Sequence, residues 1–159
     1  LHAMDSLTVA VEDPLNGDLD LLFERHSAHC HADTPPESMH MMDRAALSGP
    51  GLSLLVLRKG GRPIAMGALK TLGGGTVELK SMHVLQEARG SGAARRILDS
   101  LVAAAWAEGA QQICLETGSQ PSFAPARALY SRAGFQECPP FANYKFDINS
   151  VFMKLNRTA

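Results

Sequence analysis

The sequence predicts a single α/β domain on a mixed, mostly antiparallel central sheet of about six to seven strands flanked by about four helices. Three observations predict it. Short alternating or apolar runs recur along the chain, separated by glycine and proline turns. A strand-like run, Val77 to Leu85, passes through Arg89-Gly90-Ser91-Gly92-Ala93-Ala94 into a long amphipathic run, Ala93 to Glu108. The 159 residues are 45% hydrophobic, which suffices for one core.

Leu7 to Val11 alternates and reads as the first strand. Leu15 to His31 reads as a helix, because Leu15, Leu19, Leu22 and Phe23 recur at helical spacing. Pro35-Pro36 breaks the chain, and Ser38 to Leu47 reads as a second, short helix ended by Gly49-Pro50-Gly51. Leu52 to Leu57, the turn Lys59-Gly60-Gly61 and Ile64 to Thr71 form a hairpin. Gly73-Gly74-Gly75 then turns into a further antiparallel strand, Thr76 to Leu85. The long helix places Ile97, Leu98, Leu101, Val102, Ala105 and Trp106 on one stripe, and Glu108-Gly109 ends it. Gln112 to Thr117 follows this crossover helix and is expected parallel to Val77–Leu85. Ala126 to Ala133 is a short helix closed by Gly134, and Phe135 to Cys138 and Val151 to Leu155 are the last strands. The order is β-α-α-β-β-β-α-β-α-β-β. Leu1-His2-Ala3 before Met4 reads as an expression-tag remnant, leaving 4–159 as the domain.

Composition narrows the function. Net charge is −1, and no basic stripe interleaves with aromatics, so nucleic acid is not an expected partner. No apolar run approaches the roughly 20 residues a bilayer span needs, and no secretory signal peptide is visible. Cys30, Cys114 and Cys138 are an odd, widely spaced set, which argues against a disulfide framework and fits a reducing cytoplasm.

The strand-to-helix junction carries the chemistry. Gly90 and Gly92 permit a tight turn and close approach to a ligand. The first N–H groups of the following helix lack helical partners and sit at the positive end of its dipole. Such a junction holds phosphate or pyrophosphate, and Arg89 adds a positive charge at its mouth.

Arg89 to Ala94 resembles the Q/R-x-x-G-x-G/A acyl-CoA pyrophosphate loop of the GNAT N-acetyltransferase family. Met82-His83-Val84 upstream is similar to the family's fourth strand. Ala128-Leu129-Tyr130-Ser131-Arg132-Ala133-Gly134-Phe135 resembles its last-helix signature. Glu78-Leu79-Lys80-Ser81-Met82, Leu115-Glu116-Thr117-Gly118-Ser119 and Asn149-Ser150-Val151-Phe152-Met153 are most similar to a bacterial, YsnE-like subgroup.

The resemblance implies the GNAT (acyl-CoA N-acyltransferase) fold, acetyl-CoA as donor, no metal, and direct transfer to an amine of a small-molecule acceptor, less readily of a protein. Many relatives dimerise, so a homodimer stays open. Main-chain groups of Met82 and Val84 would position the thioester, and Arg89, Gly90, Ser91, Gly92, Ala93 and Ala94 would hold the pyrophosphate, with Arg95 or Arg96 in reach. A backbone N–H near Met82 would face the developing oxyanion. Tyr130 is the candidate general acid, a phenol suited to protonating a thiolate. Glu78 is the first candidate base; by strict alternation it shares a strand face with Lys80, Met82 and Val84, and Lys80 is its alternative salt-bridge partner. Glu116 is its rival, and His83 is expected on the opposite face from Met82. Phe123 stands where the family often has a cofactor-binding asparagine, so that contact is not carried over; Ser122 is a weak substitute. Glu37, His40 and Tyr144 are candidate acceptor-binding residues.

Two other classes stay open. A non-catalytic acyl-CoA sensor would keep the Arg89–Ala94 loop and lose turnover. His26, His29 and Cys30 at i, i+3 and i+4, with Asp33 and His40 nearby, are the alternative metal-binding module. Their spacing fits no common metal site, and a solvated helix end with histidines near its C-terminus is the simpler account and fits the dipole.

Overall fold

A seven-stranded sheet in the order β1-β2-β3-β4-β5-β7-β6 organises the chain, and the computed structural model describes residues 6–158. The Leu1-His2-Ala3 reading lies outside them. The strands are β1 (Leu7–Glu12), β2 (Leu52–Lys59), β3 (Arg62–Gly73), β4 (Thr76–Val84), β5 (Gln112–Gly118), β6 (Gln136–Glu137) and β7 (Ser150–Asn156). Three α-helices accompany them: α1 (Asp20–Asp33), α2 (Ala93–Ala107) and α3 (Ala124–Arg132). All pairings are antiparallel except β4 with β5, which α2 joins as a parallel crossover.

The core forms where periodicity placed it. Ile97, Leu98, Leu101 and Ala105 of α2 are fully buried. Gly67 of β3 lies under Leu101, where a side chain would collide with the leucine. Ile113 and Leu115 of β5 join the same core.

Two helical expectations change. Leu15 is 57% exposed, because the helix starts later. Asp13 Oδ1 accepts from Leu15 N–H (2.9 Å) and Asn16 Oδ1 from Asp18 N–H (3.1 Å), so these side chains turn the chain before the first helical residue. The helix expected over Ser38 to Leu47 is two 3-10 turns, Pro36–Ser38 and Arg44–Ser48, with extended backbone at Met39 and Asp43. Arg44 explains it: its guanidinium donates to Pro14 O (2.6 Å), Asn16 O (2.8 Å) and Asp20 Oδ1 (2.7 Å). These tertiary bonds hold the segment against the start of α1 and override helix propensity.

Two irregularities position the site. The β4–β5 ladder runs from Thr76↔Gln112 to Leu79↔Leu115 and stops, while β5 continues along β7 to Gly118. The two strands therefore fork after Leu79. Within β4, Ser81 adopts φ 54, and the register with β3 slips between Met66 and Ala68. This bulge puts one extra residue into β4.

Candidate active site

The fork opens into a cavity of about 410 Å³. Its walls are Lys80 to Val84 of β4, Glu116 to Gly118 of β5, His26, His29 and Cys30 of α1, and Leu129 and Tyr130 of α3. Arg89, Gly90 and Ala94 line it at the start of α2, and Glu78 and His40 line its wall.

The loop at the start of α2 is built for an anion. Gly90 (φ 78) and Gly92 (φ 84) are left-handed, and an added Cβ at either meets nothing within 4 Å. No side chain caps α2 at Gly92, and the first helical bond is Arg96 N–H to Gly92 O (3.0 Å). The preceding N–H groups of the first turn therefore have no helical acceptor. Ser91 Oγ donates to Ala88 O, pinning the turn. Arg89 is exposed and forms no ion pair among the described residues, whereas Arg95 is engaged by Asp99 (2.8 Å). These residues fit a diphosphate, with Arg89 and Arg96 the exposed cations that form no ion pair among the described residues.

The bulge corrects the strand-face argument. Lys70, Ala68 and Met66 alternate along β3 and pair with Glu78, Lys80 and His83. His83 thus shares the face of Glu78 and Lys80, while Val84 pairs with Ala65 on the other face. Strict period-two counting fails because Ser81 adds a residue. His83 packs between α1 histidines, its ring 5.5 Å from His26 and 6.1 Å from His29. Among the described residues no group of three His, Cys, Asp or Glu side chains converges as a metal site would.

Burial, then the neighbouring His29, lowers His26 to about 4. Burial, then His26 and His29, lowers His83 to about 3. Both rings are neutral in the folded protein, and unfolding returns them to an ordinary value of about 6.5. The unfolded chain then binds more protons below that pH, so stability is unaffected above about pH 6.5 and is lost as pH falls toward 4. Thermal melts between about pH 7 and pH 4.5 should show the midpoint falling, and His83→Gln should flatten that fall.

Tyr130 is buried, with its Oη donating to Met82 Sδ at 3.6 Å and its ring edge-on to Phe135 at 5.8 Å. Burial first, then the nearby Glu116, raises its pKa, so the phenol keeps its proton. Glu116 is partly buried and also raised, chiefly by that burial. Glu78 is 3% exposed and its Oε2 is engaged twice: Tyr144 Oη donates to it at 2.6 Å and Lys80 Nζ at 3.1 Å. Lys80 Nζ also donates to Tyr144 Oη at 2.9 Å, closing a triangle.

The remaining candidates fall into two groups. Glu37, His40 and Tyr144 come together with Glu78 around a second, open cavity of about 720 Å³, under the loop between β6 and β7. His40 and Glu78 line both cavities. Phe123 packs edge-on against His29 at 4.8 Å, and Ser122 Oγ donates to Asp33 Oδ2 at 2.9 Å. Both therefore tie the β5–α3 connection to α1, and Ser122 is already engaged. The sequence reading missed the strap that fixes His40. Asn149 Nδ2 donates to the buried Ser38 Oγ at 3.2 Å, joining the 36–40 segment to the last loop. Nothing local signals a bond between residues so distant in sequence.

Comparison with known proteins agrees with this architecture. The acetyltransferase (GNAT) family model matches residues 19–135. The chain is 41% identical to the uncharacterised N-acetyltransferase YsnE of Bacillus subtilis, over 79% of this chain and 85% of that one. It is 35% identical to the IAA acetyltransferase of Azospirillum brasilense, over 95% of this chain and 98% of that one. The PaiA N-acetyltransferase of Thermoplasma acidophilum, solved with coenzyme A, has the same fold: TM-score 0.74, 14% identity, 96% of this chain and 99% of that one. No helix among the described residues is long and apolar enough to cross a membrane. A forked sheet, a glycine-rich turn into α2 and a match over most of its length together establish that the chain belongs to the acetyltransferase (GNAT) family.

Proposed function

We propose that this protein is an acetyl-CoA-dependent N-acetyltransferase that transfers the acetyl group directly to an amine of a small-molecule acceptor. One observation carries the reading. A single cavity connects the anion-ready turn at Arg89–Ala94 with the open main chain at Met82 and Val84, the Tyr130 hydroxyl and the Glu116 carboxyl. Acetyl-CoA, when bound, supplies an activated acyl carbon and a thiolate leaving group.

The chain's residues divide the remaining work. Gly90 to Ala94 hold the diphosphate through main-chain N–H groups, and Arg89 neutralises it. Unpaired main-chain groups of β4 beyond the fork bind the extended arm as a further strand would. Tyr130 gives its proton to the departing sulfur, and burial keeps that proton in place until then. Glu116 is the better proton acceptor of the two glutamates, because Glu78 is already bound by Tyr144 and Lys80. The thiols of Cys114 and Cys138 are raised by burial, Cys114 to about 11, which leaves neither activated for an acyl-cysteine route. The second cavity, walled by Glu37, His40 and Tyr144, takes the acceptor.

A panel of small amines with acetyl-CoA, read as release of free coenzyme A thiol, tests the assignment. Acetylation of at least one amine with single-step kinetics supports it. Tight coenzyme A binding with no turnover on any amine points to a sensor instead.

A further inference from the structure

His40 holds a nitrogen that the protein itself does not use. Its Nε2 is buried and has no hydrogen-bond partner among the described residues. The imidazole is not loosely placed. Its ring lies edge-on to Tyr144, 5.0 Å between centroids and 89° between planes. Tyr144 is in turn fixed by Glu78 and Lys80. Ser38, two residues before His40, is tied to Asn149. A buried imidazole nitrogen held on several sides and left unsatisfied marks a place where a ligand completes the bonding.

The surroundings say which ligand group. His40 lines the first cavity with Glu116 and Tyr130, and the second, open cavity with Glu37 and Asp147. Glu116 forms no ion pair among the described residues; Ser150 and His40 beside it favour its charged form, and no hydrogen bond joins it to His40. Both side chains line the first cavity, where a group able to donate to both would complete their bonding. An ammonium is such a group.

We propose that the attacking nitrogen of the acceptor sits between the Glu116 carboxylate and His40 Nε2, and that His40 takes its first proton. This rests on the amine-acetylation reading above. An alkyl ammonium must lose two protons to become an amide, and the two residues take one each. His40 Nε2 accepts the first, leaving a neutral amine. The amine lone pair forms the C–N bond and the C–S bond breaks, its electron pair leaving on sulfur. Glu116 accepts the second proton from nitrogen, Tyr130 protonates the thiolate, and Glu116 returns its proton to Tyr130. The imidazolium releases the first proton to solvent through the second cavity. Net, one ammonium and one thioester give one amide, one thiol and one proton.

The same geometry gives Glu78 a different task. It positions Tyr144, and Tyr144 positions His40. The groups facing His40 are Glu116 on β5, Glu78 and Lys80 on β4, Tyr144 and Asp147 on the last loop, and Glu37 on its own segment.

The test compares wild type, His40→Gln and Glu78→Gln in the full chain with the best amine of the panel. kcat/KM is followed across pH, and coenzyme A affinity is measured by calorimetry. His40→Gln is expected to lose about ten-fold or more in kcat/KM at neutral pH, within the range of general-base effects. It should recover toward wild type as pH approaches the amine's own pKa, with coenzyme A affinity unchanged. Glu78→Gln should lower the rate without removing the acidic limb of the profile. A His40→Gln profile that matches wild type overturns the proposal. So does a loss that persists undiminished at high pH, or an acidic limb that disappears with Glu78 instead. If wild type acetylates no amine, the functional reading itself falls and takes this proposal with it.

Discussion

Replacing Gly92 with glutamate is expected to abolish coenzyme A binding. Gly92 caps α2 with φ 84, a region that costs a residue with a Cβ about 1–2 kcal/mol. An added side chain meets no protein atom within 4 Å, so sterics within the fold are not the cause. The cause is the carboxylate, placed where the helix dipole and the N–H groups of the first turn favour a ligand anion. The new side chain satisfies those donors and repels the diphosphate. Calorimetry with coenzyme A reads the loss. Gly92→Ala, which imposes the backbone strain without the charge, should retain measurable binding. Wild-type affinity in Gly92→Glu would remove this turn from the cofactor site.

Removing one oxygen from Tyr130 should slow turnover ten-fold or more while leaving coenzyme A affinity nearly unchanged. Phenylalanine keeps the ring against Phe135 and gives up only the weak hydroxyl contact to Met82 Sδ, so the core is preserved. What disappears is the proton held beside the fork. A ten-fold loss corresponds to about 1.4 kcal/mol of transition-state stabilisation. Burial raises the phenol, yet the same dry surroundings raise a coenzyme thiolate, so the proton still has a favourable destination. The measurement is kcat and coenzyme A affinity on the same preparation; an unchanged kcat would exclude Tyr130 as the acid.

The parts of the fold legible in the sequence are those set by neighbours along the chain. Glycines at 90 and 92 permit a tight turn, and the chain takes it with both in left-handed backbone. Of the α2 stripe, Ile97, Leu98, Leu101 and Ala105 are buried, and Val102 and Trp106 pack half-buried at its edge. The parallel pairing of β4 with β5 follows from the crossover helix between them. Illegible features arise from contacts across long sequence separations. Arg44 unmakes a helix by bonding residues near position 16, and no local propensity encodes that. The bulge at Ser81 comes from an ordinary serine, so alternation grouped Val84 with Glu78 and Lys80, where the register places His83 instead. Glu78 and Tyr144 are 66 positions apart and meet only in three dimensions. The candidate residues were readable singly, but their grouping around two cavities, and the contacts from which roles for Glu78, Glu116 and His40 are proposed, were not.

The fork after Leu79 has an evolutionary corollary. Recognition through an interrupted ladder relies on peptide groups, which every amino acid except proline carries alike. On the proposed function, lineages can exchange side chains along Met82–Val84 without losing these main-chain contacts to the donor, within what the Tyr130–Met82 and His83 packing allows. On that same reading, selection for new acceptors would work on the far loops while the thioester grip stays inherited.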